Sequence, residues 1–454
     1  MAIKPKVQTL TNSSVDIMNA IRNGASVDYR HYVPVATDDA ESLKTIGTVI
    51  MDNPQLQNEF VSALVNRIGR VILTSKMYSN PWAMFKKGLL EFGETVEEIF
   101  VNIAKPFTYD PSVAEKEVFK RELPDIKSAF HIMNYQKFYK STVQQFDLRK
   151  AFLAWSGITD LIAKIIDAMV TGANYDEYQT MKYMLARNIL NGRLLPVTVG
   201  ATTPNNVRNV VSNIKATSNN MEFLSSKFNM AGVQTKADKK EQYVILDSSF
   251  DASIDVEVLA TAFNMDKAEF MGHRVLVDGF GSLDNARLRE LFSDDPTYVE
   301  VTEAEQILLN QIPAVMVTED FFMIFDNLYN FTEQFNGEGL YWNHWYHVWK
   351  TFSVSPFANA ALFVQNEPSV ESVTLTPNTA TITVGGTLAL AVGVATNNFA
   401  SKGVVFTSSS ENVEVSASGV VKVLPTAETD TDVTITATST FDSTKSATCT
   451  LTIV

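Results

Sequence analysis

The sequence is poor in the residues that staple small secreted folds or hold metals. One cysteine, Cys449, stands among 454 residues. No disulfide can form within the chain, so stability must come from packing and association, which fits synthesis in a reducing cytoplasm. Only five histidines are present, and 37 Lys and Arg face 51 Asp and Glu, for a formal net charge of -14. A surface that wraps nucleic acid needs clustered cations against phosphates, and this balance argues against one. The densest basic stretch, Lys227 to Lys240, lies in a polar segment and reads as a solvated loop. The most apolar helical window, Ile158 to Val170, is interrupted by Asp160, Lys164 and Asp167 and falls short of a bilayer span. The opening residues, MAIKPKVQTLT, lack the apolar core of an export signal, so no secretion by that route is expected. Neither a Gly-rich phosphate loop nor a G-x-S-x-G nucleophile elbow occurs.

What is present describes a globular chain of more than one unit. A composition that is 45% hydrophobic and 19% charged excludes wholesale disorder, and the length calls for two or three cores. Residues 1 to about 50 read as an arm, with a short helical pattern at Val15 to Arg22 and few apolar residues at a core-forming period. Leu56, Phe60, Leu64 and Val65 are spaced for one face of a helix. Arg70 to Thr74 reads as a β-rich run. Phe85 to Phe92 and Thr95 to Ile103, punctuated by Gly93, read as a two-stranded ribbon that needs a neighbour to lie on. Ile158, Leu161, Ile162, Ile165, Ile166 and Met169 form one helical stripe, which restarts through Tyr178, Met181, Leu185 and Ile189 and predicts a long helix or a helix pair. A strand at Tyr243 to Leu246, a helix at Val256 to Phe263 and a strand at His273 to Val277 predict an α/β subdomain. Eight large rings follow between Tyr341 and Phe363 and predict long paired strands with a bend or helix near Pro356.

After Pro368 the aromatics nearly vanish. Short alternating runs such as Val433, Ile435, Ala437 and Cys449, Leu451, Ile453 are separated by turn signals at Gly385-Gly386, Asn397-Asn398 and Ser418-Gly419. The spacing predicts a separate β-sandwich of immunoglobulin-domain length, joined through a linker at Gln365 to Ser369.

No constellation reads as a reaction centre. His344 and His347 lie in a strand pattern, where residues three apart point to opposite faces, and no third ligand is near in sequence. Glu97-Glu98 and Asp38-Asp39 are adjacent and diverge in either regular structure, so they read as solvated charge rather than an acid and base pair. Cys449 alternates with apolar neighbours and reads as a core residue. The aromatic block either fills a core or supplies interface anchors, and the sequence leaves both open.

Several segments resemble the major capsid proteins of phi-29-type short-tailed phages: DIMNAIRN (Asp16 to Asn23), FKKG with GETVEEI (Phe85 to Gly88, Gly93 to Ile99), VEVLATAFNMDKAEFMG (Val256 to Gly272) and FFMIFDNL (Phe321 to Leu328). The most specific is GLYWNHWYHVWKTFSVSPFANAALFV, Gly339 to Val364. The tail is similar to bacterial group-2 immunoglobulin-like domains in VTLTP (Val373 to Pro377), FTSSS (Phe406 to Ser410) and ASGVVKV (Ala417 to Val423), with Phe406 where that family usually has Trp.

The resemblance implies an α+β fold, the tailed-phage capsid fold, followed by an all-β immunoglobulin-like sandwich. It divides the chain into an N-terminal arm (1-50), a capsid-fold domain (51-366) and the sandwich (369-454). Within the capsid domain it implies an extended loop at about 80-115, a spine helix at about 150-195, an axial domain at about 197-318 and peripheral strands at about 319-366. It implies a structural protein and not an enzyme: a major capsid protein forming pentamers and hexamers around double-stranded DNA, assembled in the host cytoplasm with scaffolding and portal partners and retained in the virion. No cofactor, metal or membrane partner is expected. DNA would be enclosed without sequence-specific binding, and residues 369-454 would give weak attachment to cell-wall carbohydrate. The interface residues expected are Phe85, Lys86, Lys87, Phe92, Trp342, Trp345 and Trp349. The rival reading is a bacterial surface adhesin that uses the sandwich to bind sugars.

Overall fold

The computed structural model describes residues 14-72, 78-90, 95-108, 110, 121, 123-153, 157-203, 206-255, 273-429 and 431-454. The helix expected at Val256 to Phe263, the capsid-like motif through Gly272, and Phe92 with Gly93 lie outside them. The chain divides into two compact units, each assembled from separate stretches.

The first unit comprises residues 1-96, 132-178 and 324-352. Its helices α1 (Ser14–Gly24), α2 (Val27–Tyr32), α3 (Ala40–Asp52) and α4 (Pro54–Ile72) start near the N-terminus. Ser26 and Asp39 cap α2 and α3 with side-chain oxygens that accept backbone N–H groups. Ile17, Met18 and Ile21 on α1, Leu43, Ile46 and Ile50 on α3, and Leu56, Phe60 and Leu64 on α4 are buried. The segment read as an arm therefore carries three helices from residue 14 onward, with buried apolar faces on α1 and α3. Its apolar residues do keep helical spacing, diluted by polar neighbours. Arg70 to Ile72 ends α4 rather than opening a strand, because adding residues to an established helix is easier than starting a short isolated strand.

A four-stranded sheet completes this unit, in the order β1 (Lys86–Leu89), β9 (Phe322–Asn336), β10 (Tyr341–Val354), β4 (Tyr135–Gln144). Strand β10 runs antiparallel to β4, with Tyr341 opposite Gln144 and Lys350 opposite Tyr135. Alternation buries Trp342, His344, Tyr346, Val348 and Lys350 on one face and leaves Trp345, His347 and Trp349 half-buried on the other. The expected long helix is one helical path: α6 (Gly157–Ile166), a π-helical stretch Asp167–Thr171 and α7 (Gly172–Leu190), preceded by α5 (Gln145–Leu153).

The second unit comprises residues 97-131, 179-323 and 353-454. Its ribbon pairs β2 (Thr95–Val101) with β3 (Ile126–Ile132). This corrects the expected pairing of β2 with the run from Phe85: β1 is taken up by β9, with Lys86 opposite Ile324, and the partner of β2 is β3, which starts at Ile126.

A five-stranded sheet runs in the order β5 (Leu195–Thr198), β11 (Ala360–Val364), β8 (Ala314–Thr318), β6 (Gln242–Asp247), β7 (His273–Val277). Strand β11 pairs with β5 and β8, so the aromatic block does not return as one set of peripheral strands; its last strand belongs to this sheet. Helices α8 (Val207–Asn220) and α9 (Ser248–Ile254) cover the sheet through Val210, Val211, Ile214, Phe250 and Ile254. Sequence reading left α8 unassigned because its Asn, Thr and Val are weak helix formers. Burial of its valine stripe overrides that preference. Two further helices, α10 (Asn285–Leu291) and α11 (Glu303–Leu309), precede β8.

From Ser369 the described residues form strands joined by turns, with no helix among them. Sheets β12 (Ser369–Thr376) with β15 (Ala391–Asn397), β13 (Thr379–Ile382) with β20 (Ser446–Ile453), β19 (Thr431–Ser439) and β16 (Val404–Ser408), and β14 (Thr387–Ala389) with β18 (Val420–Val423) and β17 (Val413–Val415) enclose a core that includes Val433, Ile435, Ala437, Cys449, Leu451 and Ile453. The three turn signals carry positive φ at Gly385, Asn398 and Gly419. A Cβ on Gly419 would sit 2.7 Å from the Leu390 carbonyl and 3.0 Å from the Phe406 ring, so the smaller ring at 406 still packs against the turn.

Candidate assembly surfaces

The ribbon has two unlike faces. Alternate residues hold one face to the rest of the second unit. Glu98 accepts from the Ser355 hydroxyl at 2.8 Å, Phe100 stacks on Phe357 with centroids 5.6 Å apart, Asn102 accepts from the Gln234 amide at 3.3 Å, and Lys127 donates to the Ala231 carbonyl at 2.8 Å. His131 lies between Ser353, 2.8 Å from Nδ1, and Glu98, 3.2 Å from Nε2. The order Ser, His, Glu matches that of a hydrolytic triad. Here the imidazole is buried and both its ring nitrogens are engaged, so the group works as a clasp that pins the ribbon.

The opposite face is open and mostly apolar, with Thr95, Glu97 and Ser128 as its polar members. Ile99, Val101, Ile126, Phe130 and Ile132 are exposed on the strands, and Ile103, Phe107 and Leu123 are exposed just beyond them, Leu123 at 83%. Isolated exposed apolar residues are ordinary, but a contiguous patch marks a surface meant to be covered.

In the first unit, four charges meet in the interior. Lys350 donates to Glu177, to Asp326 at 2.9 Å and to the Tyr329 hydroxyl at 2.8 Å. Lys86 lies 3.2 Å from Glu177 and 2.8 Å from Asp326, and Asn80 donates to Glu177 at 2.6 Å. Burial alone would push both carboxyls up, but the two ammoniums outweigh it and hold Glu177 and Asp326 below the usual carboxylate range. Burial would likewise lower Lys350, and the two carboxylates outweigh it and raise it. Two positive and two negative charges make the cluster neutral. It ties β1, β9, β10 and the start of α7 together.

The residues expected at interfaces divide accordingly. Phe85 and Trp342 are buried within the unit, Phe85 edge-on to Trp82 and Trp342 against Phe335; packed inside, they have little surface to offer a neighbour. Lys86 belongs to the charge cluster, Lys87 is half-buried, and Phe92 lies outside the described residues. Trp345 and Trp349 stand on the open sheet face, where Lys140 lies 5.8 Å from the Trp345 ring and Phe138 lies 5.7 Å from His347. Sequence reading missed the charge cluster and the clasp. Their partners lie far apart in the chain, 222 residues for His131 and Ser353, and no local spacing announces them.

His344 and His347 lie on opposite faces of β10, and among the described residues no group of three or more His, Cys, Asp or Glu could hold a metal ion. Among the same residues no helix is long and apolar enough to cross a membrane.

Comparison with known proteins decides what these surfaces belong to. Residues 18-364 match the family described as Phi29-like phage major capsid protein. The major capsid protein of Bacillus phage B103 is 36% identical over 418 residues, covering 90% of this chain and 87% of that protein. The chain belongs to the Phi29-like phage major capsid protein family. A second member, the major capsid protein of Bacillus phage PZA, is 35% identical over 82% of this chain and 78% of its own length. Residues 369-451 match the bacterial Ig-like domain, group 2. The solved capsid of Staphylococcus phage Andhra matches with a TM-score of 0.50 at 16% identity, over 65% of this chain and 86% of that one, which is a likeness of fold.

Membership makes the chain a structural component of a phage head, the major capsid protein of its shell, rather than an enzyme. The fold is accordingly the α+β capsid fold with an all-β immunoglobulin-like region at its end. The adhesin reading gives way, because the match runs from residue 18 to residue 364, nearly all of the chain before the sandwich.

Proposed function

We propose that copies of this chain close into pentamers and hexamers that form the head around double-stranded DNA, with the outer face of the ribbon seated on a neighbouring copy. One observation carries this: a ribbon pinned by its polar face while its apolar face stays exposed. Burying one large apolar side chain contributes about 1.5–3 kcal/mol, so one ribbon suffices for a modest contact, and a closed shell multiplies it through multivalency. Trp345 and Trp349, on the open sheet face with Lys140, are proposed as further interface residues, as is Lys87, half-buried on β1.

In this reading the ribbon is the extended loop, α6 with α7 the spine, the five-stranded sheet the axial domain, and the β9–β10 region the peripheral domain. Assembly would proceed with scaffolding and portal proteins, and the acidic chain would contain DNA without adhering to it. The sandwich would project and attach weakly to cell-wall carbohydrate. Negative-stain electron microscopy of the chain expressed with its scaffold tests the proposal: uniform closed shells support it, and monomers under every assembly condition contradict it.

A further inference from the structure

The five-stranded sheet of the second unit leaves one edge where a ligand can sit. Strand β11 is parallel to β5 and antiparallel to β8, while β6 is parallel to β7 and antiparallel to β8. Four of the five strands therefore end at the same edge, where β8 begins. The connections leaving such carboxyl ends splay apart, and that is where open α/β sheets bind ligands. Here the splay leaves a crevice of about 450 Å³ beyond the ends of β6, β7 and β11, within the size range of small-molecule sites.

The polar atoms around this crevice are half used. Asp247 spends Oδ1 on the Ser249 and Phe250 amides, which leaves Oδ2. Asn310 spends Oδ1 on the Gly281 amide, which leaves Nδ2. Gln365 spends Nε2 on the Gln311 carbonyl, which leaves Oε1. The Ser282 hydroxyl can both give and accept. A ligand that satisfies this rim must present donors and acceptors alternately.

Charge narrows the class. No lysine or arginine is among the described lining residues, and the nearby Lys182 ammonium is already held by Asp278 and the Ser282 carbonyl. Phosphates and other anions therefore meet the Asp247 carboxylate, which is held by backbone N–H groups, with no lining cation to draw them in. Phe250, Ile312 and Pro313 add an apolar wall suited to the C–H face of a saturated ring. A ring with apolar faces and a rim of hydroxyl groups is a sugar. We infer that this crevice binds a neutral saccharide, at a site separate from the immunoglobulin-like sandwich.

Saturation-transfer NMR on the full chain, with glucose and N-acetylglucosamine as probes and spermidine and inorganic phosphate beside them, tests the assignment. Transfer to the ring protons of at least one sugar is expected, and its loss in Ser253→Trp, where a half-buried lining serine gives way to a ring that fills the crevice. Ser249→Trp, from an exposed position on the same wall, should act likewise, and unchanged thermal unfolding would show either variant folded. Absence of transfer to both sugars at millimolar concentration would overturn the inference. So would transfer that survives in both folded variants, which would place sugar binding elsewhere, or transfer to spermidine or phosphate instead.

Discussion

Lys350 and Glu177, 173 residues apart in the chain, meet in the interior of the first unit, where the same ammonium also donates to Asp326 at 2.9 Å. Removing one member of a buried ion cluster leaves charge without compensation. Lys350→Met should therefore destabilise the chain by about 3–5 kcal/mol, far more than an exposed ion pair would cost, read as a lowered midpoint in thermal or urea unfolding.

The cluster also fixes a pH window. Glu177 and Asp326 have depressed pKa values in the fold, so their contribution is complete above the ordinary carboxylate range and is lost as pH falls through the depressed values. Lys350 and Lys86 are raised, so theirs is complete below the ordinary lysine value and is lost as pH rises through the raised ones. Unfolding midpoints should stay high between these limits and fall on the acid side. Glu177→Gln should flatten that acid limb; an unchanged limb would remove the cluster as its cause.

His344 should act on a different part of the pH scale. Burial lowers its pKa from 6.5 to about 4, which keeps it neutral near pH 7. The unfolded chain binds this proton first as pH falls, so stability drops between about pH 6.5 and about pH 4, by about 3 kcal/mol for a shift of that size. In His344→Gln, urea midpoints across that interval should decline less.

The immunoglobulin-like region docks on the end of α7. Lys402 donates to the Leu190 carbonyl at 2.9 Å, where a cation favours a helix C-terminus. Gly192 has φ +64°, and a Cβ there would sit 2.5 Å from the Ala400 carbonyl. Gly192→Ala combines a left-handed backbone with a clash against main chain. Limited proteolysis of this variant should cut the linker at Gln365 to Ser369 several times faster than in the parent, while Lys402→Ala gives a smaller effect.

Particular residues show what the sequence could carry. Cys449 and the alternating strands around it were readable because period-two patterning is local. The helix from Ile158 was readable from its stripe. Strand β1 was paired wrongly because Phe85 to Phe92 and Thr95 to Ile103 are neighbours only in sequence, whereas Lys86 pairs with β9 across more than two hundred residues. The clasp of Ser353, His131 and Glu98 was hidden for the same reason. Glu97-Glu98 reads as solvated charge until the fold brings the Ser355 hydroxyl and the His131 ring to Glu98. Exposure of the ribbon's apolar face was equally invisible, since alternation gives two faces without saying which one is covered.

The most direct test of the account is particle assembly by Ile99→Asp with Phe130→Asp, two changes confined to the exposed ribbon face and away from the clasp. Sedimentation of this chain expressed with scaffold should show folded subunits and no closed shells, under conditions where the parent chain closes. Shells forming as efficiently as the parent's would contradict assembly through the ribbon.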